Sequence, residues 1–291
     1  METQIIRFAP SKLNLHLAVG PLEQSGLHSI QSLFVTTSLA DTLTITVTDS
    51  DTFSITVTGL EEYCEPGSDT ITKAARLYNE YIPLSYTLHV HCEKRIPTQA
   101  GLGGGSSDAA SLLLALRELK AIDEATLLEI AHRVGSDVPF FIYEAKAAIV
   151  EGTGEVVTPL EAPVKAAVVV MPTDHGVSTK EAYAALDRIE DRSTTFVDRT
   201  DLGESFKDSI PNWSNTFYND FEQTLTNNPL YGELAKLSAG YSGYQGLTGS
   251  GPSWFFIADS DQEVDLLTQK IVDRFGTFVA TYRLMVCSEV I

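Results

Sequence analysis

Residues 96–114 read IPTQAGLGGGSSDAASLLL, and the reading of this stretch governs the reading of the rest. Gly101, Gly103, Gly104 and Gly105 lead into Ser106-Ser107-Asp108 and then into a run rich in alanine and leucine. That order describes a loop feeding a helix. Glycine lets backbone N–H groups turn toward a guest with no side chain in the way and tolerates positive φ. Ser106, Ser107 or Asp108 supplies an N-cap for a helix continuing through Leu119. The first N–H groups of such a helix have no internal partner and lie at the positive end of its dipole, so they form an anion site. A polyphosphate is the expected guest. Taken alone, the same glycines also fit a tight connection with no ligand, so the flanking motifs decide.

At 291 residues the chain exceeds the usual single domain, and two domains sharing a cleft are expected, 1–160 and 161–291. Hydrophobic residues make up 43%, enough for a sizeable core, and no apolar run approaches the roughly 18 residues of a membrane span. The opening METQIIRFAPSK has no basic segment followed by an apolar core and a cleavage site. Cys64, Cys92 and Cys287 are odd in number and widely spaced, which fits reduced packing thiols in a cytoplasm. With 39 acids against 20 bases the formal charge is −19, which argues against a nucleic-acid-binding surface, and no nucleic-acid partner is expected. An acidic chain that holds a polyphosphate must do so with backbone amides, a helix end, a few placed lysines and a divalent cation.

On the N-terminal side, Gln4 to Leu17 alternates around Pro10 and reads as a half-buried strand, with Lys12, Asn14 and His16 on one face and Leu13, Leu15 and Leu17 on the other. A second strand is expected over Leu33 to Ser38, and Asp41 to Thr58 reads as a β-hairpin broken near Asp49 to Asp51. Ser68 to Tyr81 has helical spacing, and Leu84 to Cys92 returns to alternation with His89 and His91 on one face. No other compact ligand cluster accompanies that pair, which argues against a metal site. Lys94 and Arg95 precede the glycine loop, where they either serve phosphate or form a solvated pair.

Beyond the central helix, Asp123 to Val134 is a capped helix stopped by Gly135, and Asp137 follows in GSDVPFF, in a position that also suits a plain turn or capping aspartate. Strands are expected at Ala147 to Glu151, Val164 to Met171, Ser253 to Ala258 and Phe278 to Val286. Helices are expected near Lys180 to Ile189, Pro229 to Ser238 and Gln262 to Phe275, with Glu190 to Trp213 read as an irregular insertion. The sum is an α+β pattern.

Three motifs now stand in order: APSKLNLHL, PTQAGLGGGSSDAASLLL and LTGSGPSWFF. Together they resemble the GHMP family of small-molecule kinases. GSDVPFF and Asn219-Asp220-Phe221-Glu222 narrow the resemblance to the branch whose acceptor is a cytidine diphosphate-linked polyol. It covers nearly the whole chain. It implies a two-domain architecture, ribosomal-protein-like at the N-terminus and ferredoxin-like at the C-terminus, with the active site between them. It further implies ATP as co-substrate, Mg2+, and phosphorylation of the polyol's 2-hydroxyl, a step toward isoprenoid precursors. By the same resemblance Lys12 and Asp137 are catalytic, Asp137 accepting the hydroxyl proton, and Pro97, Ala100, Gly101, Leu102, Gly103, Gly104, Gly105, Ser106 and Ser107 bind ATP. Asn14, His28, Tyr183, Thr248, Gly249 and Ser250 fall to the substrate, while metal ligands and oligomeric state stay open.

The chain also departs from the family. Leu27 precedes His28 where the family carries an aromatic residue, and Leu22-Glu23-Gln24-Ser25 replaces the usual Arg and Asp. Both changes touch the region expected to hold cytosine. Two rival readings therefore remain at this point: another GHMP kinase, acting on homoserine, mevalonate or a sugar, and a catalytically silent nucleotide-binding protein on the same fold.

Overall fold

A computed structural model describes residues 2–173, 178–190, 192, 194–225, 228–238 and 240–287. Its first two strands, β1 (Glu2–Leu22) and β2 (His28–Asp49), form one long antiparallel ribbon. The register slips between Pro10 and Lys12, again between Asn14 and His16, and again between Val19 and Leu22. The second and third slips are of one residue and change which side chains share a face, whereas the first is of two and does not. The expected single parity of Lys12, Asn14 and His16 is therefore not observed. Lys12, Asn14 and Leu17 line one cleft, whereas His16 turns into a contact with Phe217 and Tyr218. Nor is the strand half-buried here, since Ser11 to Gly20 are buried on both faces.

The expected hairpin over Asp41 to Thr58 is also corrected. β3 (Ser54–Thr58) does not pair with β2; β4 (Tyr86–Glu93) lies between them, antiparallel to β2 and parallel to β3. Parallel neighbours need a crossover, and α1 (Thr70–Tyr81), capped by Asp69, provides it. Alternation marks strands but does not name their partners, and Ser50 to Phe53 lacks the Asn-Gly or Asp-Gly pair that closes a tight hairpin. α2 (Gly104–Leu119), α3 (Glu124–Val134) and the short α4 (Val138–Ile142) pack with α1 over this sheet, their core holding Phe34, Leu43, Ile45, Tyr78, Leu112 and Phe140. β5 (Ala147–Gly152) adds to the other end of β2, and β6 (Val156–Leu160) to β5.

The remaining strands are β7 (Lys165–Pro172), β8 (Tyr244–Leu247), β9 (Trp254–Ala258) and β10 (Val279–Val286). Their order, β10-β7-β9-β8 with every pair antiparallel, is the ferredoxin-like arrangement. Between β7 and β8 run α5 (Thr179–Leu186), α6 (Arg199–Lys207) and α7 (Pro229–Leu237); α8 (Asp261–Phe275) joins β9 to β10. The two sheets meet where Val286 pairs with Thr37, and a common core runs across from Leu13 and Leu33 to Val169 and Phe255.

The reading of 190–213 as an insertion outside the core is overturned. Asp198 caps α6, and Leu202, Phe206, Ile210 and Trp213 are buried in that common core. Leu202 and Phe206 are four apart, on one face of a helix, so the signal was present but short.

Candidate active site

The helix that follows the glycines begins earlier than the sequence suggests. Gly103, at φ 70°, is the N-cap of α2 and makes no side-chain cap bond, so neither Ser106, Ser107 nor Asp108 caps it. The first helical bonds run from Ser106 and Ser107 N–H to the Gly103 carbonyl. The N–H groups of Gly104 and Gly105 thus stand in the first turn, where a helix has no partner of its own to offer. Gly103 must be glycine on two counts: its φ, and a Cβ that would lie 2.9 Å from Lys12 Cγ. Gly101 is equally constrained, since a Cβ there would meet the Thr248 carbonyl oxygen at 2.3 Å.

Lys94, just upstream, is buried between two carboxylates: it donates to Asp41 and, at 2.9 Å, to Asp108. Asp41 also accepts the N–H groups of Arg95 and Ile96, at 2.6 and 2.8 Å, and so fixes the entry to the loop. Burial pushes the Asp108 carboxyl above the usual carboxylate range, with the Lys94 ammonium pulling the other way, and its Oδ1 has no partner. Arg95 is the solvated member of the pair, bonded to exposed Glu93.

Opposite the loop, the Lys12 ammonium is buried, 2.5 Å from Asn14 Oδ1, 3.4 Å from Asp137 Oδ2 and 4.7 Å from the centre of the Phe34 ring. Asp137 precedes α4 but makes no cap bond with its side chain, which leaves the carboxylate to Lys12 and solvent. Asn14 is held from several sides: its amide donates to Ser32 Oγ at 2.9 Å, and its Oδ1 accepts the Gly249 N–H at 2.8 Å. The second glycine turn is thereby latched to β1. Thr248 Oγ1 accepts the Asn14 N–H at 3.1 Å, and the Asn219 amide donates to the carbonyls of Leu247 and Gly249 at 2.8 and 2.9 Å.

Two cavities meet at this point. One, of about 610 Å3, runs along the glycine loop from Leu60, Tyr63 and Thr70 to Lys12, Asn14 and Ser250. The other, of about 480 Å3, is walled by Leu27, His28, Lys180, Tyr183 and Asp187. Asp137, Ile30, Thr179 and Tyr183 line both. His28 and Tyr183 face each other with ring centres 4.9 Å apart, and Tyr183 in turn meets Phe221 edge-on at 4.9 Å.

Residues 69–145 match the family model described as GHMP kinases N terminal domain. A 4-diphosphocytidyl-2-C-methyl-D-erythritol kinase of Burkholderia lata is 34% identical over 279 residues, covering 94% of this chain and 92% of the relative. One of Burkholderia orbicola is 35% identical over 280 residues, with the same coverage. The chain belongs to the 4-diphosphocytidyl-2-C-methyl-D-erythritol kinase family, within the GHMP kinases. A solved 4-(cytidine 5'-diphospho)-2C-methyl-D-erythritol kinase superposes with a TM-score of 0.78 at 29% identity, covering 98% of this chain and all of the other. A homoserine kinase of Cytophaga hutchinsonii, at 17% identity and a TM-score of 0.66, shares the fold.

In this GHMP kinase the structure brings Pro97, Ala100, Gly101, Leu102, Gly103, Gly104, Gly105 and Ser106 to one wall of the larger cleft, along with Gly249 and Ser250. Ser107 stands apart: it is fully buried, on a face of α2 that lines a separate hollow with Phe141 and Lys146. The Thr248 hydroxyl is also turned inward, donating to the Gly101 carbonyl at 3.2 Å. His28 belongs to the smaller cavity and Tyr183 to both. Sequence reasoning did not single out Leu60, Tyr63, Thr70, Thr179 or Asp187. Residues of ordinary type in loops and at helix ends carry no periodic signal, and only the fold brings them to the cleft.

Proposed function

We propose that this chain transfers the γ-phosphoryl group of ATP to the 2-hydroxyl of 4-diphosphocytidyl-2-C-methyl-D-erythritol, a step in the synthesis of isoprenoid precursors by the non-mevalonate route. The observation that carries the reading is the junction of two cavities at Asp137, with the Lys12 ammonium 3.4 Å away. The larger cavity takes the nucleotide, its phosphates against the N–H groups that open α2. The smaller takes the cytidine end of the acceptor, beside His28 and Tyr183.

Phosphoryl transfer asks for little covalent chemistry from the protein; position and charge stabilisation dominate. The acceptor oxygen bonds to the γ-phosphorus, the bond to the β,γ-bridging oxygen breaks and leaves with ADP, and the hydroxyl proton passes to the Asp137 carboxylate. Lys12 faces the charge that spreads over the transferring oxygens. Asn14, Ser32 and the Gly249 N–H keep that ammonium's partner in place.

No group of three or more His, Cys, Asp or Glu among the described residues is placed to hold a metal. Magnesium bound through phosphates needs only one or two protein oxygens. The orphaned Asp108 Oδ1, beside the first turn of α2, fits that need. Magnesium would neutralise phosphate charge there. Three unpaired cysteines among the described residues support a cytoplasmic setting.

The decisive experiment is a panel of acceptors with ATP and magnesium, followed by ADP release and by phosphorus NMR of the product. Phosphorylation of the cytidine diphosphate-linked polyol well ahead of homoserine, mevalonate and free sugars is the expected result. Faster turnover of another alcohol, or ATP binding with no transfer to any, would overturn it.

A further inference from the structure

The motif Asn219-Asp220-Phe221-Glu222 and the stretch after Glu190 have so far been given no part in recognising substrate, yet they converge on the far end of β1. Val19 and Gly20 lie where the β1–β2 register slips for the last time before the turn. Their carbonyls are collected by one side chain. Arg192 Nη1 donates to the Val19 carbonyl at 2.6 Å and Nη2 to the Gly20 carbonyl at 3.1 Å. The same Gly20 oxygen is 2.9 Å from His28 Nδ1. Asp220 closes the arrangement from the other side. Its Oδ2 accepts the Val19 N–H at 2.7 Å, accepts from Thr194 Oγ1 at 3.2 Å, and lies 3.8 Å from Arg192 Nη1. Arg192 and Asp220 side chains are 9% and 3% exposed, so this pair works out of water.

We propose that Arg192 is a positioning residue for the acceptor cavity, holding the Gly20 carbonyl where it fixes the orientation and tautomer of His28. The inference rests on reading the smaller cavity as the acceptor site. With Nδ1–H committed to Gly20, the ring's remaining nitrogen, Nε2, is the one 3.4 Å from Asp187 Oδ2 on the cavity wall. The next residue of the motif fixes the facing wall, because Phe221 meets the Tyr183 ring edge-on, and Tyr183 faces His28. Arg192 and the Asp220-Phe221 step therefore hold the two touching rings, His28 and Tyr183, that wall the cavity. Only a planar fork bridges two adjacent carbonyls in this way; lysine carries the charge but not the geometry.

The test compares Arg192→Lys with Arg192→Gln, whose amide can serve one carbonyl. Lys207→Gln, on the exposed face of α6 and paired with Glu204, is the control. In Arg192→Lys the KM for the cytidine-linked acceptor should rise about fivefold to tenfold, the loss expected for one ordered hydrogen bond, while kcat and the KM for ATP stay within about twofold. Arg192→Gln, which also leaves the buried Asp220 carboxylate without its cation, should lose at least as much as Arg192→Lys, and Lys207→Gln should match wild type. Nitrogen-15 NMR of the His28 side chain, which needs no substrate, should show Nδ1 protonated and hydrogen-bonded in the wild type and that signature lost or averaged in Arg192→Lys. An unchanged His28 signature in both Arg192 variants, or equal losses for ATP and acceptor, would overturn the assignment. If wild type fails to phosphorylate the cytidine-linked polyol, the acceptor reading falls, and the His28 signature still decides whether Arg192 positions that ring. Should Arg192→Lys not fold, Arg192→Gln carries the same comparison.

Discussion

Replacing Lys12 with methionine separates chemistry from architecture more cleanly than any other change at this site. The ammonium touches Asn14 Oδ1, Asp137 and the Phe34 ring, and its stem packs against Gly103. Methionine fills similar space. Asn14 Oδ1 is not orphaned, because the Gly249 N–H still reaches it at 2.8 Å, so the structural loss is about one net hydrogen bond, roughly 1 kcal/mol. For a chain of this length that is a fall in Tm of about 2–4 °C. The catalytic loss should be far larger. Removing one preorganised group aimed at developing charge costs about 10²–10³ in kcat, and Asp137→Asn, which cannot take the proton, should lose about 10²–10⁴. Since both act on the same transfer, the double variant should lose much less than the product of the two. Rapid-quench single turnovers with saturating ATP, alongside calorimetric ATP titration and thermal melts, read all three quantities. The reasoning is refuted if Lys12→Met keeps kcat within about threefold, or if its defect lies in ATP affinity with kcat intact.

Gly104→Val should weaken ATP binding measured by calorimetry and lower Tm together, because its first side-chain carbon would press on the buried Ile96 Cγ2 at 3.0 Å and on Lys94 Nζ at 3.2 Å; unchanged affinity in the folded variant would move the phosphate site elsewhere. Leu27→Tyr, at an exposed position on the rim of the smaller cavity, should lower the acceptor KM by about twofold to tenfold with kcat nearly constant, stacking being worth roughly 0.5–1.5 kcal/mol; a raised KM would count against cytosine at that rim. Burial lowers the His16 pKa from 6.5 to about 4, so the unfolded chain takes up the proton first. Its contribution is complete above pH 6.5 and is lost as pH falls toward 4, about 3 kcal/mol in all; denaturant titrations of His16→Asn across that window should show a shallower slope, and an identical slope would refute it.

The parts of this molecule that were legible in the sequence are those in which one local rule suffices. The glycine run announced a loop before a helix, and alternation located most of the strands. What escaped depended on a neighbour far along the chain. The start of α2 was misplaced because Gly103, at positive φ, holds the N-cap position with no side-chain cap bond, so no serine or aspartate marks the helix start. β3 was given to β2 because nothing in its own residues reveals that β4 comes between. The faces of β1 were misassigned because a bulge leaves no compositional mark, yet it reverses every side chain beyond it, so that Leu17 and not His16 joins Lys12 and Asn14. Arg192 was lost in a polar stretch whose partners, Val19 and Gly20, precede it by more than 170 residues.

Charge gives the site its last constraint. A chain with formal charge −19 must attract a substrate whose phosphates are themselves anionic. The two buried lysines on the larger cleft are already engaged: Lys12 with Asp137, and Lys94 with Asp41 and Asp108 together. Around Lys94 two carboxylates share one ammonium, and the upward shift of Asp108 reflects that crowding together with its burial. Free cationic charge is therefore not what receives the nucleotide. The N–H groups opening α2 contribute partial positive charge that needs no counter-ion of its own and no side-chain ordering, and their geometry is set by Gly103 before ATP arrives. On the proposed reading the remaining deficit would fall to a divalent cation carried on the phosphates, with the unpartnered Asp108 Oδ1 the oxygen that would meet it. ATP affinity should accordingly fall steeply when magnesium is chelated and only weakly when monovalent salt is raised, because short-range N–H contacts in a partly enclosed cleft are screened far less than exposed lysines.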